Sequence, residues 1–161
     1  MLAPRGLIFA TGVCAFGLVA GGLVLARTMN LAACPLCILQ RMLYLLLALE
    51  ALGAWLLVRS LPAQRIAALG MLITALTGAG IAAYQTWLQR FARGVSCGAD
   101  QPWWERFVNW AGAQLPLLFE ATGLCSEAGW KLLGLSIAEW SLLAFSAMAA
   151  AMLAVALRRT L

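Results

Sequence analysis

The sequence predicts an all-α fold, an integral-membrane bundle of four transmembrane helices with a long periplasmic loop that carries a short interfacial helix. Composition is the first reason: 64% of the 161 residues are hydrophobic and 11% are charged, against about half and about a quarter in ordinary soluble domains. The second is the presence of four apolar stretches, each near the roughly 20 residues a helix needs to cross a hydrocarbon core. They run at about 7–26, 38–58, 66–87 and 136–157, leaving loops at about 27–37 and 90–135 in a single membrane domain. The third is where the charges fall. Arg5, Arg59, Arg65, Arg158 and Arg159 flank one set of helix ends with no acid beside them, whereas the long loop balances Arg90, Arg93, Arg106 and Lys131 against Asp100, Glu105, Glu120, Glu127 and Glu139. The positive-inside rule then puts both termini and the turn from Arg59 to Arg65 in the cytoplasm and the two remaining loops outside. The net charge of +5 does not point to nucleic acid, because the basic residues are scattered over helix ends and form no basic face.

The first stretch competes with a removable signal peptide, and Leu31-Ala32-Ala33-Cys34 resembles a lipoprotein processing site. Its apolar run exceeds the roughly 7 to 15 residues of a signal-peptide core, and Arg27 and Asn30 interrupt the approach to Cys34, so a retained helix is the better reading. Gly17 and Gly21 in helix one, and Gly70, Thr74 and Gly78 in helix three, have the small-residue period that lets helices pack closely in lipid. The long loop mixes Trp103, Trp104, Phe107, Trp110 and Trp130 with charges and prolines. Tryptophan favours the membrane interface, which predicts a short amphipathic helix near Trp103 to Ala113, although the same aromatics would also suit a docking surface.

Helix two begins with the chemistry. In Cys34-Pro35-Leu36-Cys37, proline suits the first helical position, where its missing N–H is not needed. Cys34 then falls at the N-cap and Cys37 in the first turn, where the helix dipole and unpaired N–H groups favour a thiolate, the nucleophilic form of cysteine. Arg41 lies four residues beyond Cys37 on the same helix face, a permanent positive charge that favours the thiolate. A C-x-x-C pair also occurs in zinc sites and thioredoxin-like folds, but there is no βαβ pattern, and Cys97 and Cys125 are too far apart for a tight ligand pair. The chain has no histidine, which excludes His-based acid–base catalysis and His ligation of metal or haem.

Cys34, Cys37, Cys97 and Cys125 all fall on the outer side, where disulfides persist. Two pairs there suit a relay. An exposed loop pair, Cys97 and Cys125, could meet a soluble dithiol, and Cys34 with Cys37 at the membrane edge could meet a lipid-soluble oxidant. Cys97 and Cys125 could instead simply staple the loop. Cys14 reads as a small packing residue. Glu50, inside helix two, is costly in a membrane and faces the bundle interior by default; a catalytic part is not expected for it so far from the outer end.

Over nearly its whole length the chain resembles the DsbB family of disulfide bond formation proteins. The resemblance is carried by Cys34-x-x-Cys37-x-x-x-Arg41, Tyr84-Gln85-x-x-Leu88-Gln89, Ser96-Cys97 and Gly123-Leu124-Cys125-Ser126-Glu127 leading to Trp130 and Trp140. It implies an inner-membrane thiol:quinone oxidoreductase whose partners are a periplasmic DsbA-like thiol oxidase and membrane ubiquinone or menaquinone. By the same resemblance Cys97 forms the mixed disulfide with DsbA, Cys34 exchanges with Cys125, Cys37 faces the quinone and can form a charge-transfer adduct with it, and Arg41 stabilises the quinone. Gln85 departs from the histidine many relatives carry there; an amide can donate a hydrogen bond to a quinone carbonyl but carries no titrating proton. A vitamin K epoxide reductase-like enzyme and a non-enzymatic four-span protein with a stapled loop are the alternative readings.

Overall fold

The computed structural model describes residues 4–91 and 102–158. Cys97, with Arg93, Ser96, Asp100 and Arg159, lies outside the described residues. Four helices are long and apolar enough to cross a membrane: α1 (Pro4–Thr28), α2 (Pro35–Leu57), α3 (Leu61–Phe91) and, last in the chain, Ile137–Ala156. Between α3 and that last helix lie α4 (Trp103–Gln114), the single turn α5 (Pro116–Phe119) and a hairpin of β1 (Lys131–Leu132) and β2 (Leu135–Ser136), so the last helix is α6. The chain is a multi-pass membrane protein of all-α class.

Helix α3 has 31 residues, about 46 Å at 1.5 Å per residue, against a hydrocarbon core of roughly 30 Å. It therefore starts at Leu61 and ends at Phe91, beyond both ends of its apolar stretch, and the connection before it shrinks to 58–60. Pro62 is tolerated there because it sits in the first turn.

The four long helices pack in the cyclic order α1, α2, α3, α6, with the longest seam between α3 and α6 and only a short one between α1 and α6. The core they enclose includes Ile8, Leu47, Met71, Phe145 and Met152. At its centre the Tyr44 ring stacks on Phe145 with centroids 4.0 Å apart, and the Tyr44 hydroxyl donates to the Ser141 carbonyl at 3.2 Å. Leu49, Leu57, Ile66 and Ile73 point outward, 66–83% exposed. An outer surface this apolar is stable only against lipid.

The glycines that pack are not all those the sequence singles out. A Cβ on Gly17, Gly21 or Gly70 would meet nothing within 4 Å, whereas one on Gly12 would strike Ala51 and one on Gly78 would strike Phe145. Cys14 likewise lies on the exposed face of α1, not in the packing. The helix is apolar on every side, so spacing alone did not reveal which stripe turns inward.

Arg5, Arg59, Arg65 and Arg158 lie together at one end of the bundle. The Arg5 guanidinium donates to the Trp55 carbonyl in the last turn of α2 and lies 5.6 Å from the Trp55 ring centroid; Arg65 donates to the Arg158 carbonyl beyond α6. Cations at helix C-termini satisfy carbonyls that have no intrahelical partner.

At the opposite end, α6 opens with a full capping box. The Ser136 side chain accepts from the Glu139 N–H, and the Glu139 carboxylate accepts from the Ser136 N–H at 2.7 Å. Glu139 also pairs with Arg90 of α3. The hairpin before it turns through Leu133 and Gly134, both at positive φ, as a two-residue primed turn requires. Leucine at such a φ is uncommon, and the Leu-Gly pair gave no warning of the turn. The Trp140 indole holds the hairpin by donating to the Leu132 carbonyl at 3.1 Å.

Candidate functional site

The helix start that proline dictates is formed as the sequence predicts. Cys34 is the N-cap of α2, with extended backbone, Pro35 occupies the first turn, and the Cys34 sulfur accepts from the Cys37 N–H at 3.3 Å. That geometry turns both side chains of the C-x-x-C pair to one side. Their sulfurs lie 2.9 Å apart, with the Cys34 thiol donating to Cys37.

Cys125 arrives from the other end of the chain. The Thr122 and Gly123 N–H groups both donate to the Ala33 carbonyl at 2.9 Å, which clasps this segment against the residues just before α2. Gly123 passes so close to the Ala32 carbonyl that a Cβ would not fit. Two residues on, Cys125 is buried in one cluster with Cys34 and Leu36, roofed by Ile81, Leu88 and Trp104, and shares a hydrogen bond with Cys34. The hydrogen bond to Cys125, then the one to Cys37, then burial push the Cys34 thiol far above its ordinary range. Three sulfurs thus stand in the order Cys125, Cys34, Cys37.

The surroundings of this row are amides. Gln85, 1% exposed on α3, donates from Nε2 to the Cys34 sulfur at 3.1 Å and to the Cys37 sulfur at 3.0 Å. Its Oε1 accepts from Gln40 Nε2 at 2.7 Å. Gln40 is 4% exposed and is not singled out by the sequence. The signal was present, since it lies three residues beyond Cys37, on the same helix face, a polar side chain beside Arg41 in a largely apolar helix. Gln89, one turn beyond Gln85, donates to the Glu127 carbonyl at 3.4 Å and tethers the Cys125 segment to α3.

Cys37 also lines a cavity of about 150 Å³ whose walls come from α1, α2, α6 and the residues just before α2, among them Val19, Gln40, Arg41, Tyr44 and Ser141. The cavity lies between α1 and α6, the neighbouring pair with the shortest seam. Gln85 is not among its residues; it lines a second cavity, of about 210 Å³, on the side of Cys34 and Cys37 covered by Gly123, Leu124 and Trp130. Arg41 shares the first cavity with Cys37, and its guanidinium donates to the Leu118 carbonyl of α5, so it also ties the segment between α3 and α6 to α2. No cluster of metal-ligating residues occurs among the described residues.

Glu50 faces α3, where the Thr74 hydroxyl donates to its Oε1 at 3.1 Å. Its Oε2 is buried with no hydrogen-bond partner among the described residues. Helix α4 covers the site with a divided surface: Glu105, Val108, Ala111 and Gly112 are buried, while Trp103, Phe107 and Trp110 are exposed.

Known proteins with related sequences carry this arrangement's name. The family model described as "Disulfide bond formation protein DsbB" matches residues 4–155. A disulfide bond formation protein B of Dechloromonas aromatica is 44% identical over 151 residues, covering 88% of this chain and 86% of that protein. One of Aromatoleum aromaticum is 40% identical over 138 residues, covering 85% and 82%, and one of Nitrosospira multiformis is 34% identical over 157 residues, covering 96% and 92%. With matches that span almost the entire chain and a row of three cysteine sulfurs at the start of α2, this protein belongs to the DsbB family of disulfide-forming oxidoreductases.

Proposed function

We propose that the chain is a thiol:quinone oxidoreductase of the bacterial inner membrane, which reoxidises a periplasmic DsbA-like dithiol oxidase and passes the electrons to ubiquinone or menaquinone. The observation that carries this reading is the row Cys125, Cys34, Cys37, which begins on an outer-loop segment and ends at an apolar cavity. The arginines at the far end of the bundle, which have no acid beside them in the sequence, support an orientation with both termini cytoplasmic and the cysteines periplasmic. Helix α4 then lies in the outer interface with Trp103, Phe107 and Trp110 toward the lipid.

In this reading the partner's thiolate attacks Cys97 of a Cys97–Cys125 disulfide, releasing Cys125. The Cys125 thiolate attacks Cys34 of the Cys34–Cys37 disulfide, and Cys37 leaves as a thiolate at the rim of the cavity. Resolution of the mixed disulfides returns the Cys97–Cys125 bond and completes the partner's own. A quinone bound in the cavity supplies a two-electron, two-proton acceptor, so one partner dithiol becomes a disulfide for each quinone reduced to quinol.

The residues present fit such a molecule. The walls are mostly apolar, and the Arg41 guanidinium and the Gln40 amide stand at it with hydrogens to donate to a carbonyl oxygen. The short α1–α6 seam offers a lipid-soluble ligand sideways access from the bilayer. Gln85 has its place behind the sulfurs and acts on them rather than on the ligand.

The test is a purified assay in which reduced partner drives loss of quinone absorbance. Serine at any one of Cys34, Cys37, Cys97 or Cys125 is expected to abolish turnover. Sustained turnover in Cys97→Ser would break the relay, and turnover without quinone would break the assignment of the acceptor.

A further inference from the structure

We infer that Gln40 is a positioning residue: by engaging the oxygen of Gln85 it keeps the amide hydrogens of Gln85 on the Cys34 and Cys37 sulfurs, and so makes that pair a stronger oxidant. The inference rests on the redox role proposed above for the two cysteines, and assigns a part in it to a residue that does not touch them.

A carboxamide has one acceptor oxygen and one donor NH₂, and the two ends of Gln85 face different partners. Its oxygen takes the Gln40 hydrogen at 2.7 Å, and its nitrogen faces both sulfurs at 3.1 and 3.0 Å. Turning the Gln85 amide over would set its oxygen against two electron-rich sulfurs and its N–H₂ against the N–H₂ of Gln40. Gln40 therefore selects the orientation. Both side chains are almost wholly buried, so little solvent competes for either end.

The consequence for the dithiol is a matter of which redox state accepts hydrogen bonds better. A thiolate accepts strongly, because one partner is charged; a disulfide sulfur is a weak acceptor. Two aimed N–H groups therefore stabilise the reduced pair over the disulfide, and a stabilised reduced form means a higher reduction potential. Gln40 has a further contact, since it also lines the cavity that Cys37 borders. It stands between the proposed acceptor site and the amide that holds the sulfurs.

The experiment is an equilibrium titration of the purified full-length chain in detergent micelles with reduced and oxidised dithiothreitol. The Cys34–Cys37 bond breaks, two electrons and two protons come from dithiothreitol, and dithiothreitol closes its own disulfide. The reduced fraction is read by alkylation and mass analysis of the peptide that holds both cysteines. In Gln85→Leu the ratio of reduced to oxidised dithiothreitol at the midpoint is expected to rise roughly tenfold, equivalent to about 30 mV for a two-electron couple. Gln40→Leu is expected to move it the same way by roughly threefold, and the double variant no further than Gln85→Leu alone.

An unchanged midpoint in Gln40→Leu, with a lowered melting temperature, would show a purely structural residue and overturn the inference. So would additive shifts in the double variant, because Gln40 is argued to act only through Gln85. Where a leucine variant does not fold, Gln40→Met and Gln85→Met carry the same expectations. The readout uses neither quinone nor partner protein, so failure of quinone reduction by the unsubstituted chain would sink the proposed acceptor while leaving this measurement intact.

Discussion

In the proposed relay Cys34 combines two jobs that are usually separate, capping a helix and exchanging sulfur bonds. Its sulfur accepts the Cys37 N–H at the start of α2 and lies in hydrogen-bond contact with both other cysteines of the row. Serine is an efficient N-cap, so Cys34→Ser is expected to melt within a few degrees of the unsubstituted protein while losing all partner-driven turnover. A large drop in melting temperature would mean that the sulfur is mainly structural. Glu50 tests the opposite case. Its carboxyl meets the Thr74 hydroxyl inside the bundle, far along α2 from the sulfurs, and an amide would accept the same hydrogen bond. Glu50→Gln is expected to keep full turnover, and a tenfold loss in the quinone assay would give this residue a part in the chemistry.

At the scale of elements, the site depends on two joints. One is the clasp of Thr122 and Gly123 on the Ala33 carbonyl, which leaves no room for a Cβ at Gly123. Gly123→Ala is expected to push the segment off α2 and slow electron transfer from partner to quinone at least tenfold, while dithiothreitol still reduces the Cys34–Cys37 pair normally. Equal turnover would show that Cys125 does not need this docked position. The other joint is the capping box at α6. Ser136→Ala removes the side-chain acceptor and is expected to cost about 1 kcal/mol, read as a lowered unfolding midpoint, with turnover retained below that midpoint.

For the whole molecule, the proposed topology sets the 58–60 connection and helix α4 on opposite sides of one membrane. In a background without native cysteines, Ala113→Cys, exposed on α4, is expected to react with an impermeant maleimide in cells whose outer membrane has been opened. Ser60→Cys, exposed at the other end, should react only after the inner membrane is breached. Labelling of both in intact spheroplasts would refute the orientation. Much of this architecture was legible in the residues themselves. Four apolar runs specify four helices because no backbone polar group can be left unpaired in lipid, and Cys34-Pro35 specifies the start of α2 because proline needs no hydrogen-bond acceptor there. The aromatic helix α4 also lies where its composition placed it. What only the tertiary structure decided is rotation and meeting. A helix apolar all round bears no mark of which face turns inward, so Gly12 rather than Gly17 packs, and Gln85 turns to the sulfurs rather than into the apolar cavity. That Cys125 meets Cys34 depends on a backbone clasp between segments almost ninety positions apart, and hydrogen bonds between main-chain groups leave almost no trace in side-chain identity beyond a glycine where two chains touch.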